Sequence, residues 1–479
     1  MTIPEVLDIF EDYTRKENIP FRFIDLEHLC LVDIDAIREA HRAIIESIEE
    51  ADIERHTSYA NQRREDVIKR IVKGVVKYAI LSHKWGPSDH FRYRHMVEDA
   101  QWRGPGWGKV KRFCDLARGS FKCRFAWADI VCIDYTNQPD RESAAQALFD
   151  WYRNSYVCIA HLATASDSSD MGHDAWFYRG FTLTELLAPT RMKFYGAGWK
   201  ALNNDYIDND KADGGFLELL SKASGIPVDD LRTFWPSSDR IRNKLSWASR
   251  RETTTVEDKA YSLMAILDSR ISVNYGEGER AFTRLMLDVV PRSGECDVFA
   301  WAGPSSHDHP GIPPSPAGFG EQHRDQQLNP TPHHYRLCGD RSVFIDLDHL
   351  RIRVIILEIS LPPEGVTNYK PVPLRHSASI SEVTLLRPQD LASHAEANTE
   401  MAVGVIDYSW TGSPDEGILH EGDRYFCFLL YKSSQREGWR KILTEKVVFL
   451  ANGQELVQEL ELLCIHKYHA ENVHINTTT

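Results

Sequence analysis

At 479 residues the chain is too long for a single hydrophobic core, and length alone predicts roughly three domains. Its hydrophobic share of 42% and charged share of 26% are those of an ordinary globular protein, and a formal net charge of -14 excludes a nucleic-acid backbone as the main partner while leaving room for a small anionic ligand in a local basic pocket. No apolar run approaches the ~20 residues of a bilayer span, and the opening MTIPEVLDIFEDY is too acidic for a signal peptide. Nine cysteines show no CxxC spacing. Those inside apolar runs, Cys132, Cys158 and Cys427, read as buried reduced thiols, which points to a cytoplasmic protein.

Residues 1–75 read as a helical arm. Val6, Leu7, Phe10 and Tyr13 form one apolar stripe, and Ile34, Ile37, Ala40, His41, Ile44 and Ile48 another. The charged run that follows reads as a solvated face. From residue 76 the pattern changes. Four apolar runs, Tyr78 to Gly86, Phe125 to Asp134, Tyr156 to Leu162 and Thr190 to Gly196, read as buried strands separated by helical patterns. Asp140 is expected to cap the helix that carries Leu148, Trp151, Tyr152 and Ser155 on one face. Strand, helix, strand in this rhythm predicts a parallel sheet with its ligand crevice at the carboxyl ends of the strands. The polar residues there are Ser82, His83, Lys84 and Trp85 on the first run, and Asp129 and Asp134 on the second. Between the last two runs, WFYRGFTLTELLAP sets one carboxylate, Glu185, among apolar neighbours.

Residues 201–303 continue as helices. Gly276, Gly278 and Ala281 fit a loose G-x-G-x-x-A, but Glu277 and Glu279 would repel a pyrophosphate, and the segment reads as a turn opening a core helix. A Pro-, Gly- and His-rich linker is expected over 304–335. Its histidines, His307, His309, His323, His333 and His334, with Cys338 beyond, match no metal-ligand spacing and read as solvated loop residues, so no metal is expected. The remainder, 336–479, is strand-rich with turn punctuation and predicts an antiparallel sandwich or barrel.

YAILSHKWG, WADIVCID, LFDWYRNSYVCIAHL, WFYRGFTLTELLAP and WASRRETTTVEDKAYSLMAILD with YGEGERAF and FAW together resemble the HET (heterokaryon incompatibility) domain of filamentous fungi, in that family's order, over 76–303. The resemblance implies an α/β, TIR-like (flavodoxin-like) parallel sheet at 76–200 with a helical extension at 201–303. Many TIR domains hydrolyse NAD and others act as assembly adaptors. In the catalytic ones a glutamate follows the third strand in a W-C-x-x-E pattern. Phe181-Thr182-Leu183-Thr184-Glu185 occupies that position here, with Phe for Trp and Thr for Cys.

The resemblance therefore implies an NAD(P) glycohydrolase acting through Glu185, switched on by self-association in an incompatibility response, with NAD or NADP as substrate and no cofactor. The alternative is a non-catalytic assembly module. A departing cationic nicotinamide needs no general acid; one carboxylate that fixes the ribose and steadies the oxocarbenium-like sugar suffices. Around it, Trp85 and Trp176 are candidate stacking surfaces or core residues. Ser82, His83 and Lys84 are expected to line the pocket. Lys84, Arg153 and Arg179 are candidates for the diphosphate, and Asp129 and Asp134 for a hydroxyl or water, or else as strand-end caps. A Ser82–His83–Asp134 triad is excluded because adjacent side chains on a strand point apart.

Overall fold

The computed structural model describes residues 3–57, 62–86, 93–98, 106–323, 343–345, 349–362, 366–386, 399–411, 413, 415–432 and 439–466. Two compact units emerge: residues 1–235 with Arg251–Thr253, and residues 236–250 with 254–479. The helical stretch 201–303 is thus shared between them.

In the first unit, helix α1 (Pro4–Tyr13) precedes a hairpin of β1 (Arg22–Asp25) and β2 (Cys30–Asp33), followed by α2 (Ile34–Glu46), α3 (Glu50–His56) and α4 (Arg64–Val75). The alternation then begins: β3 (Tyr78–His83), α5 (Tyr93–Glu98), α6 (Trp107–Gly119), β4 (Phe125–Trp127), α7 (Asp129–Cys132), α8 (Gln138–Asn154), β5 (Val157–His161), α9 (Thr182–Leu187) and β6 (Met192–Tyr195). The six strands form one sheet in the order β2-β1-β4-β3-β5-β6. β4, β3, β5 and β6 run parallel, as their apolar runs predict. All six residues of β3 are buried, as a central strand covered on both faces requires.

The hairpin departs from the helical reading of residues 1–75. β1 pairs antiparallel with both β2 and β4 and extends the sheet at one edge. Four-residue strands are too short to display a period, and the turn between them has no glycine or proline. It is held instead by Asp25, which accepts the Glu27 amide at 2.8 Å, with Leu29 in the left-handed region at φ 53°. The second apolar run also ends early. Its strand stops at Trp127, and Asp129 to Cys132 turn into α7. The cap of α8 is Asn137, whose side chain accepts the Asp140 amide. Asp140 lies in the first turn and pairs with Arg22 at 3.0 Å.

β3 has β4 on one side and β5 on the other, so the chain leaves β3 in one direction and later returns to flank it from the other. This reversal is the switch point at which open parallel sheets bind ligands, beyond the carboxyl ends of the strands. His83, His161 and Tyr195 stand in one register across those ends, with Ser82, Ala160 and Phe194 one residue earlier.

The second unit contains helices α12 (Ile241–Ala248), α13 (Asp258–Tyr261) and α14 (Arg280–Ser293); α10 (Gly214–Ser224) and α11 (Val228–Arg232) precede it in the first. Its β-rich part is built on an eight-stranded sheet whose pairings are antiparallel. Ile355, Leu357, Val403, Val405, Tyr425, Leu429 and Leu450 fill its core. The G-x-G-x-x-A segment is a turn held from within, since Glu257 accepts the amides of Gly276 and Gly278 at 2.8 and 2.9 Å. His309, expected as a solvated loop residue, is fully buried, and its Nδ1 accepts the Gly311 amide at 3.0 Å. His333, His334 and Cys338, with the side chain of His323, lie outside the described residues. Cys132, Cys158 and Cys427 are buried free thiols, whereas Cys296 is disulfide-bonded. Among the described residues no helix is long and apolar enough to cross a membrane.

Candidate active site at the strand ends

Alternation along β3 sends consecutive side chains to opposite faces of the sheet. Ser82 and His83 therefore organise two separate groups at the same strand tip.

The Ser82 group contains Glu185. The Ser82 hydroxyl donates to Glu185 Oε2 at 2.5 Å and accepts from the Trp176 indole N–H at 2.8 Å. Trp176 is fully buried, edge-on to Phe177 and Phe194. It supports Ser82 from below and offers no face on which a base can stack, which corrects its reading as a stacking surface. Tyr152 reaches the same place from α8, its hydroxyl donating to the Leu81 carbonyl at 2.7 Å. Sequence patterning reads Tyr152 only as a core position of α8, because a helical stripe does not distinguish an apolar ring from a ring whose hydroxyl has a polar task.

Glu185 is itself 8% exposed and its carboxyl is pushed up to about 8. Burial is the largest cause and the negative charge of Asp129 the second; the hydrogen bond from Ser82, the Arg179 guanidinium and the nearby Tyr152 hydroxyl act in the opposite direction. At neutral pH the enclosed group is thus mainly a neutral acid. It is no solvent-facing helix glutamate, and its direct partner is a serine at the end of the first parallel strand.

The His83 group forms on the other side. His83 Nε2 lies 3.1 Å from Asp129 Oδ1, and the Trp85 indole N–H donates to Asp129 Oδ2 at 2.8 Å. Asp129 also accepts the Ile130 amide at 2.7 Å, at the start of α7. Lys109, from the first turn of α6, stands 3.4 Å from His83 Nδ1, a cation that sequence reading missed. Trp85 is half-buried, edge-on to Tyr135 at 4.9 Å between centroids. The Lys84 side chain is exposed, and its carbonyl faces Lys109.

Two expected members stand elsewhere. Asp134 accepts the amide and hydroxyl of Thr136 and closes a turn after α7, seven residues beyond the end of β4, so it is neither in the Ser82 or His83 group nor a strand-end cap. Arg153 lies in the last turn of α8, just before β5 begins, so it is at the amino ends of the strands. It donates to the Phe234 carbonyl and stacks over Phe149 and Trp235. Sequence spacing does not reveal this because a crossover helix returns the chain to the opposite end of the sheet.

The helix that carries Glu185 is six residues long and fixed at both ends. Thr182, fully buried, donates to the Trp176 and Arg179 carbonyls at 2.5 and 2.8 Å. At the far end the Lys211 ammonium donates to the carbonyls of Leu186 and Pro189 at 2.5 and 2.9 Å. Burial lowers its pKa to about 7.

Residues 78–186, which enclose nearly all of these groups, match the family model for heterokaryon incompatibility protein (HET). Over 230 residues the chain is 34% identical to vegetative incompatibility protein HET-E-1 of Podospora anserina, an alignment that takes in 45% of this chain and 16% of that much longer relative. No solved structure matches the chain.

Proposed function

We propose that this chain, whose residues 78–186 match the HET family model, is an effector of vegetative incompatibility that hydrolyses the nicotinamide–ribose bond of NAD or NADP, with Glu185 as the catalytic carboxylate and self-association as its trigger. The observation that carries the reading is the buried Glu185 carboxyl, bonded to Ser82 at the carboxyl end of the strand where the sheet reverses. In chain order the four parallel strands run 2-1-3-4 across the sheet, which supports the flavodoxin-like, TIR-like assignment.

The chemistry asks little of the protein. The glycosidic C–N bond breaks with its electron pair going to the pyridinium nitrogen, neutral nicotinamide departs, and water adds to the sugar carbon with loss of a proton. Glu185 steadies the cationic sugar and holds its hydroxyls, a contribution of roughly 10²-fold or more. Asp129, fixed by His83 and Trp85, adds a negative charge that favours the cationic nicotinamide end. Arg179 is the candidate for the diphosphate. Glu185 must be ionised to do this, and burial keeps it protonated at neutral pH. Self-association is the step that we assign to opening the site to water and substrate, which returns the carboxyl toward its ordinary range.

The test is nicotinamide release by the full chain across a range of protein concentrations, with oligomer formation followed in parallel. Turnover that rises with assembly and falls at least about 100-fold in Glu185→Gln is expected. The same burial favours a second reading, an assembly module in which Glu185 is structural. Equal inertness of wild type and Glu185→Gln in verified oligomers would establish it.

A further inference from the structure

Arg251 and Glu252 belong by chain position to a stretch whose flanks, residues 236–250 and 254 onward, lie in the second unit, yet Arg251–Thr253 is part of the first. The reason is a local tie. Glu252 forms a parallel bridge with Arg179, its amide donating to the Tyr178 carbonyl at 2.6 Å and its carbonyl accepting the Gly180 amide at 2.9 Å. Arg251, 7% exposed, donates through Nη1 to the Arg179 carbonyl at 2.8 Å and to Thr182 Oγ1 at 2.9 Å. Every one of these bonds ends on Tyr178–Thr182, the segment that opens α9 three residues before Glu185.

A cation is a poor choice for stabilising the start of a helix, where the partial positive charge of the unpaired amides favours anions. The ordinary device is also missing, because the N-cap Phe181 makes no side-chain cap. The guanidinium does what a carboxylate cap cannot. Its Nη1, with two protons, bonds a carbonyl and a hydroxyl together, and it locks the hydroxyl whose own proton goes to Trp176 and Arg179. Trp176 is the residue that supports Ser82, so Arg251, Thr182, Trp176, Ser82 and Glu185 form one bonded chain.

We propose that Arg251 is a positioning residue for Glu185, setting the start of α9 and with it the place of the carboxyl against Ser82. The proposal rests on Glu185 as the working carboxylate but concerns its placement, which is measurable without turnover. Two readouts on the full chain test it. The first is kcat and KM for nicotinamide release by Arg251→Met and Arg251→Lys. The second is the thermal midpoint of each variant with and without Glu185→Gln, at about pH 5 and about pH 8.5, which reports the enclosure of the Glu185 carboxyl through linkage.

Arg251→Met is expected to lower kcat at least tenfold with KM within about twofold. It should also shrink the pH-dependent gap between chains that keep Glu185 and chains that carry Glu185→Gln, as water reaches the loosened carboxyl. Arg251→Lys, which retains one donor and the charge, should recover part of both. If wild type is inert while Arg251→Met still closes the gap, the positioning role stands and the hydrolase reading falls. The proposal is overturned if Arg251→Met lowers the midpoint equally at both pH values with the gap intact, or leaves kcat and gap as in wild type.

Discussion

Glu185 is held as a neutral acid, and the sign of the consequence follows from linkage. Its folded pKa of about 8 lies above the ordinary carboxylate value near 4.5, so between those values the native state keeps a proton that the unfolded chain releases. Its contribution to stability is complete below the lower value and is lost as pH rises through the higher one, a change of order a few kcal/mol. Glu185→Gln removes the ionisation while keeping an acceptor for Ser82. The variant should melt several degrees above wild type near pH 8.5 and alongside it near pH 5; an equal offset at both would show that Glu185 is not enclosed. Ser82→Ala acts on the same group differently. It removes the donor to Glu185 and strands the buried Trp176 N–H, a loss of about 1–3 kcal/mol in unfolding free energy. Because it also removes one of the bonds favouring the ionised carboxyl, the folded pKa rises further and the deficit should widen as pH rises through and above 8, which denaturant titrations on either side of that value would reveal.

At the scale of the element, α9 is too short to be stable by itself, and Lys211 shows how its far end is kept. The ammonium satisfies the Leu186 and Pro189 carbonyls that a helix terminus leaves open. Burial lowers its pKa from 10.5 to about 7, so here the unfolded chain holds the extra proton and stability rises between those values. Lys211→Met leaves two carbonyls unsatisfied, a loss of about 2–3 kcal/mol at pH 9. It should also flatten the rise from pH 7 to 10, and urea titrations across that range would check both. What sequence reading recovers and misses divides along the same line. The runs at β3, β5 and β6 are legible because a parallel strand covered on both faces is mainly apolar, and Glu185 is conspicuous as a carboxylate among apolar neighbours. The β1–β2 hairpin is not, because its turn depends on an Asp25 side chain and a strained Leu29 instead of glycine. Lys211 and Arg251 are not either: each reads as an ordinary surface charge, and its task is set by carbonyls far away in the sequence.

At the scale of the whole molecule, composition draws a border near residue 304, between helices and strands, and a truncation before Ser305 looks like the removal of a separate module. Within the second unit the border does not exist. Arg242 of α12 is buried, donates to the Ala300 carbonyl and lies 4.3 Å over the Phe426 ring. The Lys441 ammonium lies 3.5 Å over Trp301, the Gly303 amide donates to the Thr444 carbonyl at 2.8 Å, and Thr283 of α14 meets Ser306 at 3.2 Å. Ending the chain at residue 304 removes Phe426, Lys441, Thr444 and Ser306 together. It would expose the Trp301 ring and leave the Arg242 guanidinium without the face that covers it. Such a fragment is therefore not expected to be a released, more active effector. It should express with a soluble yield reduced at least severalfold and show exposed apolar surface by dye binding. Recovery of a soluble fragment that unfolds cooperatively, with turnover above the full chain, would instead mean that the strand-rich region restrains a core able to fold without it.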